Sequence, residues 1–380
     1  MASDGGDSAY RLHNQDFLLT PALAIYPEFI RHNIETTLRL LGGHRKRWRP
    51  HVKTSKLALV MRMLVEAGMD RLKCATTLEL LTACQVGAAD VLLAFPATAP
   101  LARRASEIAE AYPNVRISVL VDDPLHLASL KGLRLGVFVD INPGMNRTGV
   151  PQERLDRIVS LVRSVGDMGL TFRGVHYYDG HLHGPELNDR VQRACEGYAQ
   201  ALRICEALGA EGFAIEEVIT GGTPTFPAGL AFDGFAKAGL AHSVSPGTLV
   251  YNDATSLKQL PAEYGYKPAA VVVTRVVSHP REDVVTCDAG HKAVSADAGV
   301  PTCEVLGWPN LRPLRPSEEH LPLQVEDGSP VPKIGEVLYL LPRHICPSVN
   351  TFGHALIVKN GDVTGMERVD SRGREAPLKC

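Results

Sequence analysis

The chain has 380 residues, of which 45% are hydrophobic, with 40 Lys and Arg against 42 Asp and Glu. That length and apolar content suffice for a large core in one or two domains. The near balance of charge excludes the basic character of proteins that bind nucleic acid or anionic membranes, and no apolar run approaches the roughly 20 residues that span a bilayer.

Compartment is indicated by the cysteines and by the first residues. The eight cysteines are scattered without a paired framework, which is typical of reduced thiols in a cytoplasmic protein. Residues 1–7 are polar and acidic, unlike a secretory signal. We therefore expect a cytoplasmic protein that acts on a small molecule and has no nucleic-acid or membrane partner.

In chain order, a strand-like stretch at residues 20–26 and a helical one at 27–41 precede a regular alternation of strands and helices. The predicted strands are Arg49–Lys53, Leu72–Ala75, Val91–Phe95, Ile117–Val121, Leu135–Asp140, Phe172–Tyr177, Glu217–Thr220 and His242–Ser245. Strands that alternate with helices of 10–20 residues predict βαβ units and a parallel sheet. Eight such units predict a closed (β/α)8 TIM-type barrel over residues 27–250, which makes the chain an α/β protein.

The pattern changes after about Tyr251, where helical periodicity disappears. Short β-rich runs follow at Ala269–Ser278, Val284–Cys287, Cys303–Gly307, Gly335–Leu341 and Ala355–Lys359, separated by Gly and Pro. This pattern predicts a smaller C-terminal all-β domain over residues 251–380. The strand at 20–26 is expected to pair with it.

Lys53 is the first candidate for chemistry. It ends the first predicted strand, in Arg49-Pro50-His51-Val52-Lys53-Thr54. The carboxyl ends of barrel strands form the active-site face, and a lysine there can form the Schiff base that holds pyridoxal phosphate. A merely solvated lysine is the alternative.

Two loops of small residues follow the seventh and eighth predicted strands. Gly221-Gly222-Thr223 and Gly247-Thr248 offer backbone amides and hydroxyls, and glycine lets the backbone approach a ligand closely. Barrels often bind a phosphate at these two loops. The pattern favours a phosphate site over ordinary βα turns.

Six motifs occur in an order that resembles the D-threonine aldolase/D-serine dehydratase family. The resemblance spans about residues 20–359 and implies a pyridoxal phosphate enzyme of the alanine racemase fold type, with a barrel followed by a β-domain. The motifs are Arg49-Pro50-His51-Val52-Lys53-Thr54, Asp140 to Arg147-Thr148-Gly149, Gly221-Gly222-Thr223, Pro246-Gly247-Thr248, Ser317-Glu318-Glu319-His320 and His344-Ile345-Cys346-Pro347.

The resemblance also implies roles for single residues. Lys53 matches the Schiff-base lysine, Arg147 the arginine near the phenolic oxygen of the cofactor, and Tyr178 a tyrosine beside its pyridine ring. The matches to the phosphate-binding loops are Gly221, Gly222, Thr223, Gly247 and Thr248, and those to the two ligands of a divalent metal are His344 and Cys346. A homodimer is implied as well.

The metal assignment has partial support from the residues themselves. In a strand or extended loop, His344 and Cys346 lie on one face and reach one ion. Imidazole plus thiolate suits zinc better than manganese or magnesium, and two protein ligands leave positions for water and substrate. The alternative is a buried cysteine beside a surface histidine.

Taken together, these features predict a metal-assisted lyase that acts on β-hydroxy-D-amino acids. The favoured reaction is a retro-aldol cleavage to glycine and an aldehyde, with His181 and His183 as candidate bases. Cys346 favours the alternative, dehydration to a 2-oxo acid and ammonia, because aldolases of the family tend to carry aspartate there. An amino-acid racemase and a pyridoxal phosphate carrier are more remote alternatives.

Overall fold

The structure is a computed structural model that describes residues 8–184 and 186–377. These residues fold into two compact units: one comprises residues 8–36, 54–60 and 248–373, and the other comprises 37–53, 61–247 and 374–377. The acidic stretch at residues 1–7 lies outside the described part of the chain. Every helix in the described ranges is too short or too polar to cross a membrane. The predicted domain limits, 27–250 and 251–380, stay a prediction.

The described residues form 17 strands and 11 α-helices, which alternate along the first two thirds of the chain. The strands are β1 (Ala22–Ile25), β2 (Arg71–Cys74), β3 (Asp90–Pro96), β4 (Arg116–Val121), β5 (Gly136–Asn142), β6 (Val150–Pro151), β7 (Thr171–Tyr177), β8 (Glu217–Thr220), β9 (His242–Val244), β10 (Ala270–Arg281), β11 (Val284–Cys287), β12 (Cys303–Leu306), β13 (Leu311–Pro313), β14 (Leu321–Val325), β15 (Val337–Pro342), β16 (His354–Lys359) and β17 (Asp362–Arg368). The α-helices are α1 (Pro27–Leu40), α2 (Ala58–Glu66), α3 (Thr77–Gln85), α4 (Ala99–Ala111), α5 (Pro124–Leu130), α6 (Leu155–Asp167), α7 (Leu187–Ala210), α8 (Phe226–Ala231), α9 (Gly234–Lys237), α10 (Ala254–Gln259) and α11 (Ile345–Thr351).

One unit is a parallel barrel. Its sheet runs in the order β2-β3-β4-β5-β7-β8-β9, with β6 added beside β5. Residues 48–52 close the circle, because parallel bridges join Trp48 to Val244 in β9 and His51 to Lys73 in β2. The eight predicted strand positions are therefore all occupied, and the predicted (β/α)8 barrel is confirmed.

The apolar runs that predicted these strands are the barrel core. Leu92, Leu120, Phe138 and Ile219 come from four different strands and pack into one buried cluster. Strands covered on both faces contain continuous apolar runs, and helices outside them are amphipathic. Helix α6 is an example, since it buries residues at positions 158, 161, 162 and 165.

The other unit is built on a nine-stranded sheet. Its main path is β13-β14-β11-β10-β1-β16-β17, and β15 pairs with β10 and β12. Strand β1 pairs antiparallel with β10 and parallel with β16, so the predicted pairing of the N-terminal strand with the late strands is confirmed. Strands β13, β14 and β17 were not predicted.

Helices also occur in this unit, so the prediction that helical structure ends near Tyr251 is wrong for α10 and α11. Helix α11 corrects the expected geometry of the His-x-Cys motif. His344 is its N-cap in extended conformation, and Cys346 lies in its first turn rather than on a strand. Pro347 is compatible with this turn, because the first helical amides have no acceptor within the helix.

Candidate active site at the carboxyl ends of the barrel strands

Lys53 lies just beyond the segment that closes the barrel. The backbone there is held by β2, since the Val52 amide donates to the Lys73 carbonyl at 2.8 Å. Lys53 is half-buried, and its charge acts on the side chains of His51 and Lys73. Burial lowers the pKa of His51 well below its usual value, and the charges of Lys53 and Lys73 lower it further.

Arg147 is presented by the loop that follows β5. The Asn142 side chain shapes this loop by accepting the amides of Gly144 and Asn146, both at 3.0 Å. Asn146 has a φ of 57°, in the left-handed region that asparagine tolerates better than most residues. The guanidinium of Arg147 then lies 4.7 Å from the centroid of the Tyr178 ring, a cation–π distance.

A buried row of ionisable side chains crosses the barrel beside this pair. Lys73 Nζ lies 3.4 Å from His176 Nε2, and His176 Nδ1 lies 2.7 Å from Asp140 Oδ1. The second oxygen of Asp140 accepts the hydroxyl of Thr148 at 2.7 Å. Lys73 Nζ is also 5.7 Å from the centroid of the Tyr178 ring.

Positive charge is in excess here. Burial lowers the pKa of Lys73 to about 7, the charges of Lys53 and Arg147 act in the same direction, and Asp140 opposes them. Burial likewise lowers the pKa of His176, although its bond to Asp140 opposes the change. Lys53, Lys73 and Arg147 thus outnumber the carboxylates of Asp140 and Asp179 at the mouth of the barrel, an arrangement that favours an anionic ligand.

The first glycine loop is tied down by a buried carboxylate. Asp179, 1% exposed, accepts the hydroxyls of Thr225 at 2.8 Å and Tyr198 at 2.9 Å. The Gly222 amide donates to Thr225 Oγ1 at 3.2 Å, and the Gly221 amide to the Tyr177 carbonyl. The amides of both glycines are therefore already hydrogen-bonded, and the contribution of these residues is the open space that a side chain would fill.

That space lies beside Tyr178. A Cβ on Gly222 would sit 3.1 Å from a carbon of the Tyr178 ring. Thr223 follows Gly222 and is buried. In the second loop, Gly247 follows Pro246, whose carbonyl accepts the Trp48 indole at 3.0 Å and so fixes the loop to the start of the barrel. Thr248 begins a 3-10 turn in the other unit.

The two candidate bases lie in the loop after Tyr178. His181 lines a cavity of about 420 Å³ together with Glu153 and Arg193. Its Nδ1 is buried and has no hydrogen-bond partner among the described residues, and burial lowers its pKa. His183 is exposed. Their roles stay predictions.

The predicted metal ligands lie together at the start of α11. His344 and Cys346 are hydrogen-bonded to each other through their side chains, and His344 Nδ1 lies 2.6 Å from Asp297 Oδ2. The hydroxyl of Thr54 lies 3.1 Å from Cys346 Sγ. Within residues 8–184 and 186–377, no cluster of three or more His, Cys, Asp or Glu side chains has the geometry of a metal site.

Sequence reasoning assigned no role to Lys73, His176 or Asp297. Lys73 and His176 had a signal, because each is an ionisable residue with apolar neighbours in a predicted strand, and central parallel strands rarely carry unpaired charge. Asp297 had none, since it is 47 positions from His344 along the chain.

A lysine-bearing parallel barrel combined with a mostly antiparallel sheet unit defines an enzyme of the alanine racemase fold type. The family model "Alanine racemase, N-terminal domain" matches residues 25–254, and "Putative serine dehydratase domain" matches residues 269–358. The chain belongs to the alanine racemase N-terminal domain family. This confirms the resemblance drawn from the six motifs and supports pyridoxal phosphate as the cofactor.

Similar proteins match over nearly the whole chain. The 3-hydroxy-D-aspartate aldolase of Paracoccus denitrificans (strain Pd 1222) is 28% identical over 371 residues, which cover 93% of this chain and 92% of that protein. The D-threo-3-hydroxyaspartate dehydratase of Delftia sp. (strain HT23) is 25% identical over 386 residues, with 93% and 99% covered. The solved D-threonine aldolase of Filomicrobium marinum has a TM-score of 0.83 and 27% identity, with 94% and 96% covered. The expectation of a lyase is confirmed.

Proposed function

We propose that this protein is a pyridoxal phosphate- and divalent-metal-dependent lyase that cleaves β-hydroxy-D-amino acids to glycine and an aldehyde. The observation that carries the proposal is the cationic cluster around Lys53 at the carboxyl ends of the barrel strands. The cluster occurs in a fold shared with the D-threonine aldolase of Filomicrobium marinum. Neither feature alone is specific, because barrels of this shape support many reactions.

The cluster fits pyridoxal phosphate on three grounds. Lys53 supplies an amine, and Arg147 and Lys73 supply positive charge for the anionic oxygens of the cofactor. Gly222 keeps open the space beside Tyr178 that a Cβ would enter. When bound, pyridoxal phosphate supplies an electron sink for the bond that breaks at Cα.

The side chains of this chain have distinct tasks in that reaction. Lys53 holds the cofactor and, once released by the substrate amine, is a base for the α-proton if elimination occurs. Arg147 and Tyr178 orient the pyridine ring of the cofactor, as expected from the cation–π contact between them. His181 or His183 accepts the proton of the β-hydroxyl in the retro-aldol direction.

His344 and Cys346 fit a divalent ion of the zinc type. Asp297 occupies Nδ1 of His344, which leaves Nε2 as the nitrogen for a metal, and a carboxylate behind a ligating histidine is the usual arrangement. The thiol of Cys346 is hydrogen-bonded to the same imidazole, so nitrogen and sulfur donors converge. When bound, the ion supplies Lewis acidity for the substrate hydroxyl.

The second candidate reaction is dehydration. It is favoured by the match of residues 269–358 to the serine dehydratase domain and by the similarity to the Delftia dehydratase. Both reactions need the same cofactor and the same metal. They differ in which bond at the substrate breaks, and therefore in their products.

A product assay separates the candidates. The protein is incubated with D-threonine, D-serine and D-threo-3-hydroxyaspartate, and glycine, aldehyde, 2-oxo acid and ammonia are measured. Glycine plus an aldehyde supports the aldolase, whereas 2-oxo acid plus ammonia without glycine replaces it with the dehydratase. Inversion at Cα without either product set supports a racemase and contradicts the lyase.

The metal has its own test. Chelation should abolish turnover, and Cys346→Ala should do the same while cofactor binding persists. Cys346→Asp replaces a soft ligand with a hard one and should shift the metal that restores activity from zinc towards manganese or magnesium. Asp297→Asn should weaken metal affinity about 10- to 100-fold. Full activity in metal-free protein contradicts the Lewis-acid role.

We also propose a cytoplasmic homodimer with zinc as its metal. The described cysteines are free thiols, which suits a reducing compartment. Sedimentation at several protein concentrations tests the dimer, and elemental analysis of protein purified without chelator tests the zinc. A monomer contradicts the proposed homodimer, and a bound metal other than zinc contradicts the proposed zinc.

A further inference from the structure

Lys73 is a buried lysine to which the proposed reaction gives no task beyond supplying positive charge. Its side chain comes from β2 and is 2% exposed, although lysine is among the residues least often buried without an anionic partner. The nearest acceptor for its amine is the neutral nitrogen of His176 at 3.4 Å, not a carboxylate. Such a position costs stability unless a ligand compensates for it.

The neighbouring bonds fix which atoms exchange a proton with Lys73. Asp140 lies 2.7 Å from His176 Nδ1 and also accepts the Thr148 hydroxyl at 2.7 Å, so it holds the proton of the imidazole on Nδ1. The lone pair of Nε2 therefore faces Lys73 Nζ. One proton can lie on the lysine or on Nε2, while Asp140 stabilises the imidazolium.

We propose that Lys73 couples the binding of an anion at this end of the barrel to the uptake of one proton, which it shares with His176. This deepens the proposed function and rests on it, because the anion is the phosphorylated pyridoxyl group. An anion near the amine favours the ammonium form, and by linkage the ammonium form favours the anion. Lys73 is thus a positioning residue.

The surroundings of the Lys73 amine are mainly cationic, and the bound anion supplies the negative charge that balances them. Burial lowers the pKa of Lys73 to about 7, so the free protein holds the amine partly neutral near neutral pH. Binding raises that pKa and takes up a proton above pH 7. The titratable and charged groups around the amine are Arg49, His51, Lys53, Asp140, Arg147, His176, Tyr178 and Asp179.

Calorimetry of pyridoxine 5′-phosphate binding to the cofactor-free full-length protein tests the coupling. This probe lacks the aldehyde, so no lysine is consumed. Heats measured in buffers of different ionisation enthalpy give the number of protons taken up. The Lys73→Arg variant keeps the positive charge but does not titrate in this range. The wild type should take up more protons than this variant, and the excess should be larger at pH 8 than at pH 6. Titration of the probe itself is common to both proteins and cancels.

The affinities give a second readout. Lys73→Gln should bind the probe about tenfold more weakly than the wild type at pH 6, because one nearby positive charge is lost, and should take up no extra proton at pH 8. Lys131→Gln, at an exposed lysine, should match the wild type. Equal proton uptake in wild type, Lys73→Arg and Lys73→Gln overturns the inference while leaving the proposed function intact. Failure of the probe to bind the wild type overturns both.

Discussion

The two ends of the barrel both carry buried charge, but only one end neutralises it. At the amino ends of the strands, Arg49 contacts Asp90 at 2.8 Å and Glu217 at 2.6 Å, and Arg173 contacts Asp90 at 2.5 Å. At the carboxyl ends, Lys53, Lys73 and Arg147 outnumber the carboxylates of Asp140 and Asp179. The charges at the amino ends are neutralised within the protein, whereas the carboxyl ends need a further anion for neutrality.

The pKa values express the same difference. Burial alone would raise the pKa of Asp90, but Arg49 and Arg173 outweigh it and lower the pKa to about 2. At the other end, burial raises the pKa of Asp179 to about 6, and its hydrogen bonds offset only part of that. Charge at the amino end therefore stabilises the fold, and charge at the carboxyl end is available to a ligand.

Arg49→Met should have the largest effect on stability. It leaves the carboxylates of Asp90 and Glu217 buried with less compensation, and breaking a buried pair by removing one partner costs about 3–5 kcal/mol. Urea unfolding of the cofactor-free protein measures the loss. The matched control is Arg163→Met, because the Arg163–Glu211 pair is exposed and should contribute less than about 1 kcal/mol. Equal losses would contradict the special role of the amino end.

Gly222→Val should have the largest effect on cofactor binding. Its side chain enters the space beside Tyr178, so affinity for pyridoxal phosphate should fall about 100-fold, or about 3 kcal/mol. Equilibrium dialysis measures it in protein whose circular dichroism is unchanged. Gly166→Val is the control, because a Cβ there meets nothing within 4 Å. Unchanged affinity in folded Gly222→Val would remove this loop from the site.

Asp90→Asn should lower stability by about 2 kcal/mol at pH 7. The folded-state pKa of Asp90 is below the usual value, so its stabilisation is present above about pH 4 and is lost as pH falls towards 2. The difference between wild type and variant in unfolding free energy should therefore shrink across that window. A difference that stays constant with pH would mean that packing, not charge, is responsible.

Asp179→Asn should have an effect of similar size and opposite sign. The folded-state pKa of Asp179 is raised to about 6, so the wild type loses stability as pH rises from about 4 through 6, and the asparagine does not. At pH 8 the variant should be more stable by about 2–3 kcal/mol, and at pH 4 the two should be equal. The amide oxygen still accepts Thr225 and Tyr198. A loss at pH 8 would contradict the contrast between the ends.

Much of this arrangement was predictable from the sequence. The eight barrel strands were found because strands buried on both faces are continuous apolar runs, and their polar ends identified Lys53 and the glycine loops. Strand β17 was missed because all of its residues are exposed, so no alternation of apolar and polar residues marks it.

Site residues were predictable only where a single residue type at a strand end indicates its chemistry, as for Lys53. The bonds of Asp179 to Thr225 and Tyr198 were not predictable, because they depend on packing between distant segments. The N-cap position of His344 was missed because the His-x-Cys spacing fits an extended chain as well as a helix start. Local spacing restricts such geometry without determining it.

The most direct test of the account is to identify the lysine that binds the cofactor. The protein is loaded with pyridoxal phosphate, reduced with borohydride, digested and mapped by mass spectrometry, with Lys53→Ala as the control. The account predicts a phosphopyridoxyl group on Lys53 alone, and its absence in Lys53→Ala. Lys73 is the strongest competitor, because burial lowers the pKa of its amine to about 7. Label on Lys73 or Lys56 in the wild type would contradict the account.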